Sequence, residues 1–240
     1  MGPDITHHPL RRADGSTTIS SPLYTVLAAV NGPVEVQRRD ELPEEAAIEV
    51  NVRPSSGVGG PKERWLEGVI GAVLRSILLV HLHPRTLVQA TLQITKEPTL
   101  KLKGAIKDVA ILPTLLNAAF LGLVDAGLPL QTTIAATLAT VSSSGDVNAD
   151  PTEDILGACR SIHALAYNQQ GELLLDESSG QVDLDVWEKV AEKTQKICLA
   201  SMASSGEDAE MGNGNVEVES WLRTELESRA QEAVAWREAV

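Results

Sequence analysis

The sequence predicts an α+β fold with two similar layers. Three observations carry that prediction: short runs of two-residue alternation near the start, two long segments with helical apolar spacing, and a second group of alternating runs followed by another amphipathic segment. Each strand group leaves one apolar face to be covered, and helices of the same chain supply the cover.

After a polar leader at residues 1–9, "DGSTTISSPLYTVLAAVNGPVEVQ" reads as strand, turn, strand. Asp14-Gly15-Ser16 gives a turn, and the apolar run Tyr24 to Val30 is closed by Asn31-Gly32-Pro33. In "AAIEVNVRP", Ile48, Val50 and Val52 alternate with Glu49, Asn51 and Arg53, the pattern of a half-buried strand. "PSSGVGGP" is a loop, and Pro61 opens a helix to about Val80 with Trp65, Val69, Ala72, Val73, Ile77 and Val80 on one face. "RTLVQATLQIT" alternates again, and the charged insert at residues 96–107 is expected as a surface loop. "LPTLLNAAFLGLVDAGLPL" then has helical spacing, with Gly127 as its left-handed cap and Pro129 as its stop. Its small residues Ala118, Ala119, Gly122 and Ala126 permit close approach of neighbouring backbones.

Thr132 to Val141 returns as a strand, "SSSGDVNADP" is a loop, and "SIHALAYNQQGELLLDES" is a hairpin through Gln170-Gly171. Asp185 to Ala200 is an amphipathic helix through Val186, Val190, Ile197 and Cys198. Residues 10–204 thus form the domain, and residues 205–240 an acidic linker and terminal helix, the helix from Val216 to Ala239.

The chain has 240 residues, 43% of them apolar and only 3% aromatic, so its core must be aliphatic. The richest apolar run, Val69 to Leu82, is broken by Arg75 and His81 and falls short of the roughly 18 residues of a membrane span, so no membrane contact is expected. Two cysteines, Cys159 and Cys198, sit in patterns expected to be buried and suit a reducing compartment. His81 and His83 form an HxH pair, read as a helix end in preference to a metal site. Net charge is −13, and the acidity lies in the second half: residues 1–110 carry 13 basic and 12 acidic side chains, residues 111–204 carry 4 and 12. A chain that grips nucleic acid alone usually shows a basic excess. Any RNA contact must be local or shared.

No GxxxxGK[ST], GxSxG, HExxH or GxGxxG occurs. The carboxylates Glu153 and Asp154 fit a magnesium or acid–base pair, or a solvated loop. His163, in an alternating run, reads as a core or sheet-face histidine. Arg38 and Arg39, with Arg53, fit a basic patch at one end of the first sheet, or a solvated loop offset by the acids of "DELPEE".

"DGSTTISSPLYTVLAAVNGPVE", "LPEEAAIEVNVRP", "VIGAVLRSILLVHLHPRTLVQATLQI" and above all "LNAAFLGLVDAGLPL" resemble the RNase PH family, and within it the ring subunits of the eukaryotic exosome. The similarity runs from about residue 10 to 200. It implies two βαβα halves of the ribosomal protein S5 domain 2-like kind. It also implies a place in a six-member ring of RNase PH-like subunits under S1/KH cap subunits, supporting 3'-to-5' RNA processing and degradation, rRNA maturation included, in nucleus, nucleolus and cytoplasm. No cofactor and no metal are implied.

Active members of the family cleave RNA by phosphorolysis, where one anion attacks another and the site must supply cations or hydrogen bonds. By the resemblance, the arginine before the first long helix falls at Lys62, which keeps charge without the bidentate fork. The Gly-Thr-Arg that starts the second falls at Ala110, Ile111 and Leu112, and of two aspartates six residues apart on a later strand the first falls at Asp154 and the second at Arg160. Arg160 reads as an ion-pair partner of Asp154 or as a new phosphate ligand. The resulting expectation is a noncatalytic ring subunit, with Arg38, Arg39, Arg53 and Lys62 as candidate RNA contacts. Two other readings stand beside it: an active phosphorolytic or metal-dependent nuclease using Asp154, and an interaction module organised by the acidic tail.

Overall fold

The computed structural model describes residues 2–99, 104–203 and 220–235. Alternation builds the first sheet: in strand β3 (Thr25–Glu35) Val26, Ala28 and Val30 are buried, and in β5 (Thr86–Lys96) so are Val88, Ala90, Leu92 and Ile94. With β1 (Asp4–His7), β2 (Gly15–Ser20) and β4 (Ala47–Arg53) the order is β1-β2-β3-β5-β4. Only β4 and β5 are parallel. A parallel pair needs a crossover, supplied here by helix α1 (Pro61–Ile77) and a 3-10 turn at Val80–Leu82.

Helix α2 (Gly104–Asp125) then passes between this sheet and a second one, and every residue from Val109 to Leu123 is buried. The helix is long and apolar enough to cross a membrane by composition, but it is the core of this fold. The second sheet is antiparallel with order β7-β6-β8-β9, from β6 (Ile134–Val141), β7 (Val147–Ala149), β8 (Ser161–Asn168) and β9 (Leu173–Gly180). A short helix α3 (Glu153–Ala158) links β7 to β8, and α4 (Leu184–Met202) lays Val190, Thr194 and Cys198 on the face away from α2. With a helix on each face, all eight residues of β6 and all eight of β8 are buried.

Helix α5 (Trp221–Val234) docks on the domain through fully buried Leu222. Glu225 meets His7 at 3.1 Å, and Arg229 Nε lies 2.7 Å from Asp125 Oδ1, at an angle that makes an ion pair without a hydrogen bond. Asp125 Oδ2 accepts from the Ser16 N–H at 2.8 Å and meets His8 Nδ1 at 3.1 Å. Burial opposes ionisation of Asp125, yet Ser16, His8 and Arg229 outweigh it and hold the carboxyl below its usual range.

Several elements differ from the sequence reading. Residues 4–7, expected as leader, form edge strand β1, and β7 lies inside the expected loop "SSSGDVNADP". Asn31-Gly32-Pro33 does not end β3, because a register shift between Asn31 and Val34 lets the strand continue to Glu35. The buried side chains of α1 are Leu66, Ile70, Val73, Leu74 and Ile77, a face turned away from Trp65, which stays 38% exposed. Helix α2 starts at Gly104, within the expected surface loop, and Pro113 lies inside it. Cys198 is buried and its thiol is pushed up to about 12 by that burial, but Cys159 is only half-buried. Residues 100–103 of the insert, the linker at 204–215, and residues 216–219 and 236–239 of the expected terminal helix lie outside the described residues.

Among the described glycines, Gly15 lies closest to a neighbouring backbone, that of α2. A Cβ at Gly15 would sit 2.3 Å from Ala126 N and 2.4 Å from Gly122 O, both backbone atoms. Gly15→Ala is therefore expected to destabilise the chain by about 2–3 kcal/mol. By contrast Gly68→Ala, in the middle of α1 with nothing within 4 Å of the new methyl, stabilises it by about 1 kcal/mol. Urea unfolding of the two variants checks both signs.

Candidate functional site

Chain direction decides where the site lies. Strand β4 runs out to Arg53 and feeds α1, and parallel β5 runs out to Lys96 and feeds α2, so both helices begin at the same pole. Strand β6 returns antiparallel to α2, with Ala136 beside Asn117, which carries Val141, α3, the start of β8 and the start of α4 to that pole as well. Thr99 Oγ1 donates to Glu153 Oε1 at 2.9 Å and joins the two halves there. Converging helix N-termini give the pole a positive partial charge.

Lys62 lies in the first turn of α1, after Pro61 and a Gly60 N–H that donates to Glu63 Oε2 at 2.7 Å. Its Nζ sits 3.0 Å from Asp108 Oδ1, both groups half-buried. Lys107 pairs in the same way with Glu97. Tyr24 packs beneath them, its hydroxyl donating to the Lys107 carbonyl at 3.3 Å, and burial together with Glu97 and Asp108 raises its phenol above the ordinary range. Lys62 at the head of α1 and Lys107 at the head of α2 are thus neutralised by carboxylates of the same chain.

Ala110, Ile111 and Leu112 do not begin α2; they stand six to eight residues into it and are 2%, 0% and 0% exposed. Facing an aliphatic core, they offer no donor. Asp154 is not on a strand but in the first turn of α3, exposed. Arg160 does not pair with it, and its guanidinium lies 3.8 Å from Asp183 Oδ2. The expected basic patch is divided. Glu35, just before Arg38 and Arg39, pairs with Thr86 at one end of β5, whereas Arg53 pairs with Gln93. At about 3.3 Å per residue that is roughly 23 Å of strand. Arg53 and Lys62 share the site pole; Arg38 and Arg39, the latter 3.0 Å from Asp40, occupy the opposite one. No cluster of three or more His, Cys, Asp or Glu fit to hold a metal occurs among the described residues, and His81 and His83 gain no third ligand there.

Lys107, Asp108 and Glu97 escaped the sequence reading because the charged insert was expected as a surface loop. The signal was present: Ile106, Val109 and Ala110 extend the apolar spacing back toward Gly104.

A second network lies under α4. His163 is fully buried, with Nε2 2.9 Å from Ser161 Oγ and Nδ1 2.8 Å from Ser178 Oγ. Ser178 donates to Asp176 Oδ1 at 2.9 Å, and Trp187 Nε1 donates to Asp176 Oδ2 at 3.1 Å. A carboxylate only accepts, so Ser178 must receive its bond from His163 Nδ1–H, and Nε2 accepts from Ser161. The order resembles a nucleophile relay, but Ser161 is 2% exposed and no substrate reaches it. The network ties α4 to the sheet.

This arrangement of two sheets around one buried helix, with helix N-termini at one pole, defines an RNase PH-like fold. The family model RNase PH (3' exoribonuclease family, domain 1) matches residues 4–129, and the chain belongs to that family. Exosome complex component RRP46 of Saccharomyces cerevisiae is 36% identical over 158 residues, 65% of this chain and 70% of that protein. The exosome complex exonuclease RRP46 homolog of Oryza sativa subsp. japonica is 36% identical over 145 residues, 60% of this chain and 57%, under two thirds, of that one. The crystal structure of rice Rrp46 superposes with a TM-score of 0.69 at 29% identity, covering 80% of this chain and 86% of that one.

Burial holds the His163 imidazole below its ordinary value of 6.5, with Asp176 opposing the shift. Below about 6.5 the unfolded chain binds a proton that the folded chain refuses, so this group removes stability as pH falls from 7 toward its depressed folded value. The urea midpoint is expected to drop more between pH 7.5 and 5.5 in the wild type than in His163→Gln.

Proposed function

We propose that the chain is a noncatalytic structural subunit of the RNA exosome core ring, supporting 3'-to-5' RNA processing and degradation, rRNA maturation included. The carrying observation is the state of the site pole. The fold that aims two helix N-termini at one place is kept, while Ala110, Ile111 and Leu112 are core side chains and Lys62 and Lys107 are taken up by Asp108 and Glu97. Phosphorolysis brings inorganic phosphate onto an RNA phosphate. With Lys62 and Lys107 engaged and no donor at 110–112, the stabilisation available where charge accumulates is reduced and its barrier stays high. Asp154, whose neighbour Glu153 is held by Thr99, and Arg160, turned to Asp183, supply neither a metal pair nor a phosphate clamp.

The neighbours in this reading are other RNase PH-like ring subunits, with S1/KH subunits as caps, and RNA is met through the assembled complex. Arg53 and Lys62 at one pole, and Arg38 and Arg39 at the other, are its candidate RNA contacts. A net charge of −13 suits basic neighbours better than naked RNA. The sites of action are nucleus, nucleolus and cytoplasm. The word exonuclease in the name of the rice relative favours a second reading, a nuclease using Asp154.

The test is a labelled single-stranded RNA incubated with the purified chain, with and without inorganic phosphate and magnesium. The expected result is no nucleoside diphosphate and no shortened RNA at concentrations where an active family member completes the reaction. Phosphate-dependent release that vanishes in Asp154→Asn would establish the second reading instead.

A further inference from the structure

Each sheet has two edges, and an open edge is a template for another chain. Three of the four carry contacts from within the chain. Strand β1 is flanked by α5, with Trp221 against Gly2 and Glu225 on His7. Strand β7 has three residues, and Lys193 Nζ takes the Val147 carbonyl. On β4 the Val52 N–H is occupied by Glu67 Oε1 at 3.0 Å. Strand β9 differs: it is eight residues long, and among the described residues its outward backbone groups have no hydrogen-bond partner within the chain. Leu173, at one end, is 42% exposed.

We propose that β9 is the docking edge for an extended strand of a non-identical RNase PH-like neighbour, one that brings lysine or arginine opposite Asp176 and Glu177. This rests on the ring-subunit reading and names the surface it uses. The charge pattern selects the partner. Two copies of β9 aligned antiparallel over their full length would set Asp176 opposite Glu177 twice, one pair of carboxylates on each face of the sheet, and like charges across strands are destabilising. Self-pairing is opposed where a cationic strand is welcomed. Burial, with Asp176 beside it, already pushes the Glu177 carboxyl up, a strain that an incoming cation relieves. Main-chain hydrogen bonds would supply affinity, and Leu173 and the two acids would supply specificity.

Hydrogen exchange on the full chain, alone and assembled with the other RNase PH-like exosome subunits, tests this. The isolated chain is expected to sediment as a monomer with rapidly exchanging outward amides in β9, and assembly slows those amides about tenfold or more. Glu177→Lys, with an unchanged exchange pattern when isolated, is expected to weaken assembly about tenfold, and Glu177→Gln less. A complex that forms while β9 exchange stays unchanged overturns the docking edge and leaves the ring reading standing. Failure to assemble with any RNase PH-like subunit overturns both. An isolated chain that dimerises with β9 protected overturns the choice of a non-identical partner.

Discussion

The structure depends on one helix having no solvent. Helix α2 is wedged between two sheets, and its surroundings are met at van der Waals limits. Gly15 lets β2 touch the α2 backbone, and Gly122 lets Val30 Cγ2 and Ala28 Cβ come within 3.0 and 3.5 Å of where its own Cβ would be. On the other side Asn117 does what a neighbouring strand would do. Strand β7 is too short to pair the first half of β6, and Asn117 Nδ2 donates to the Ala136 carbonyl while Oδ1 accepts the Ala136 N–H, both at 2.9 Å. A buried edge that would otherwise carry unmet backbone groups is closed by one amide.

That constraint is independent of any chemistry at the pole. The helix must keep its small residues, its amide and its length for the two halves to hold together. Ala110, Ile111 and Leu112 lie six to eight residues into α2, and each side chain gains the usual stabilisation of leaving water. The lysines around the pole meet acids of the same chain, Lys62 with Asp108 and Lys107 with Glu97. The pairs are half-buried. An anionic ligand would have to break them before it gained anything.

Much of this was legible in the sequence. Two-residue alternation located β3, β4 and β5, because one face of each meets the core and the other does not. The small residues of α2 announced close packing, and Gly127 and Pro129 marked its end. What was not legible has physical causes. Strand β1 is four mostly polar residues whose order comes from β2 and α5, and β7 is held by β6 alone. The face of α1 shifted by one position, since Trp65 and Leu66 are both apolar and only the sheet decides which is covered. Arg38, Arg39 and Arg53 looked like neighbours because they flank consecutive strands, and the parallel pairing of β4 with β5 put them at opposite poles. Asp154 and Arg160, six apart in sequence, are separated by a helix that the loop composition concealed.

The central proposal is that the pole at the starts of α1 and α2 does not hold phosphate. Titration of the isotopically labelled full chain with inorganic phosphate, followed through the backbone amides of residues 60–64 and 104–112, tests it most directly. The account predicts only weak, non-saturating changes that disappear as ionic strength is raised, since exposed charges alone respond that way. Saturable shifts confined to those two helix starts, surviving in salt, would contradict it.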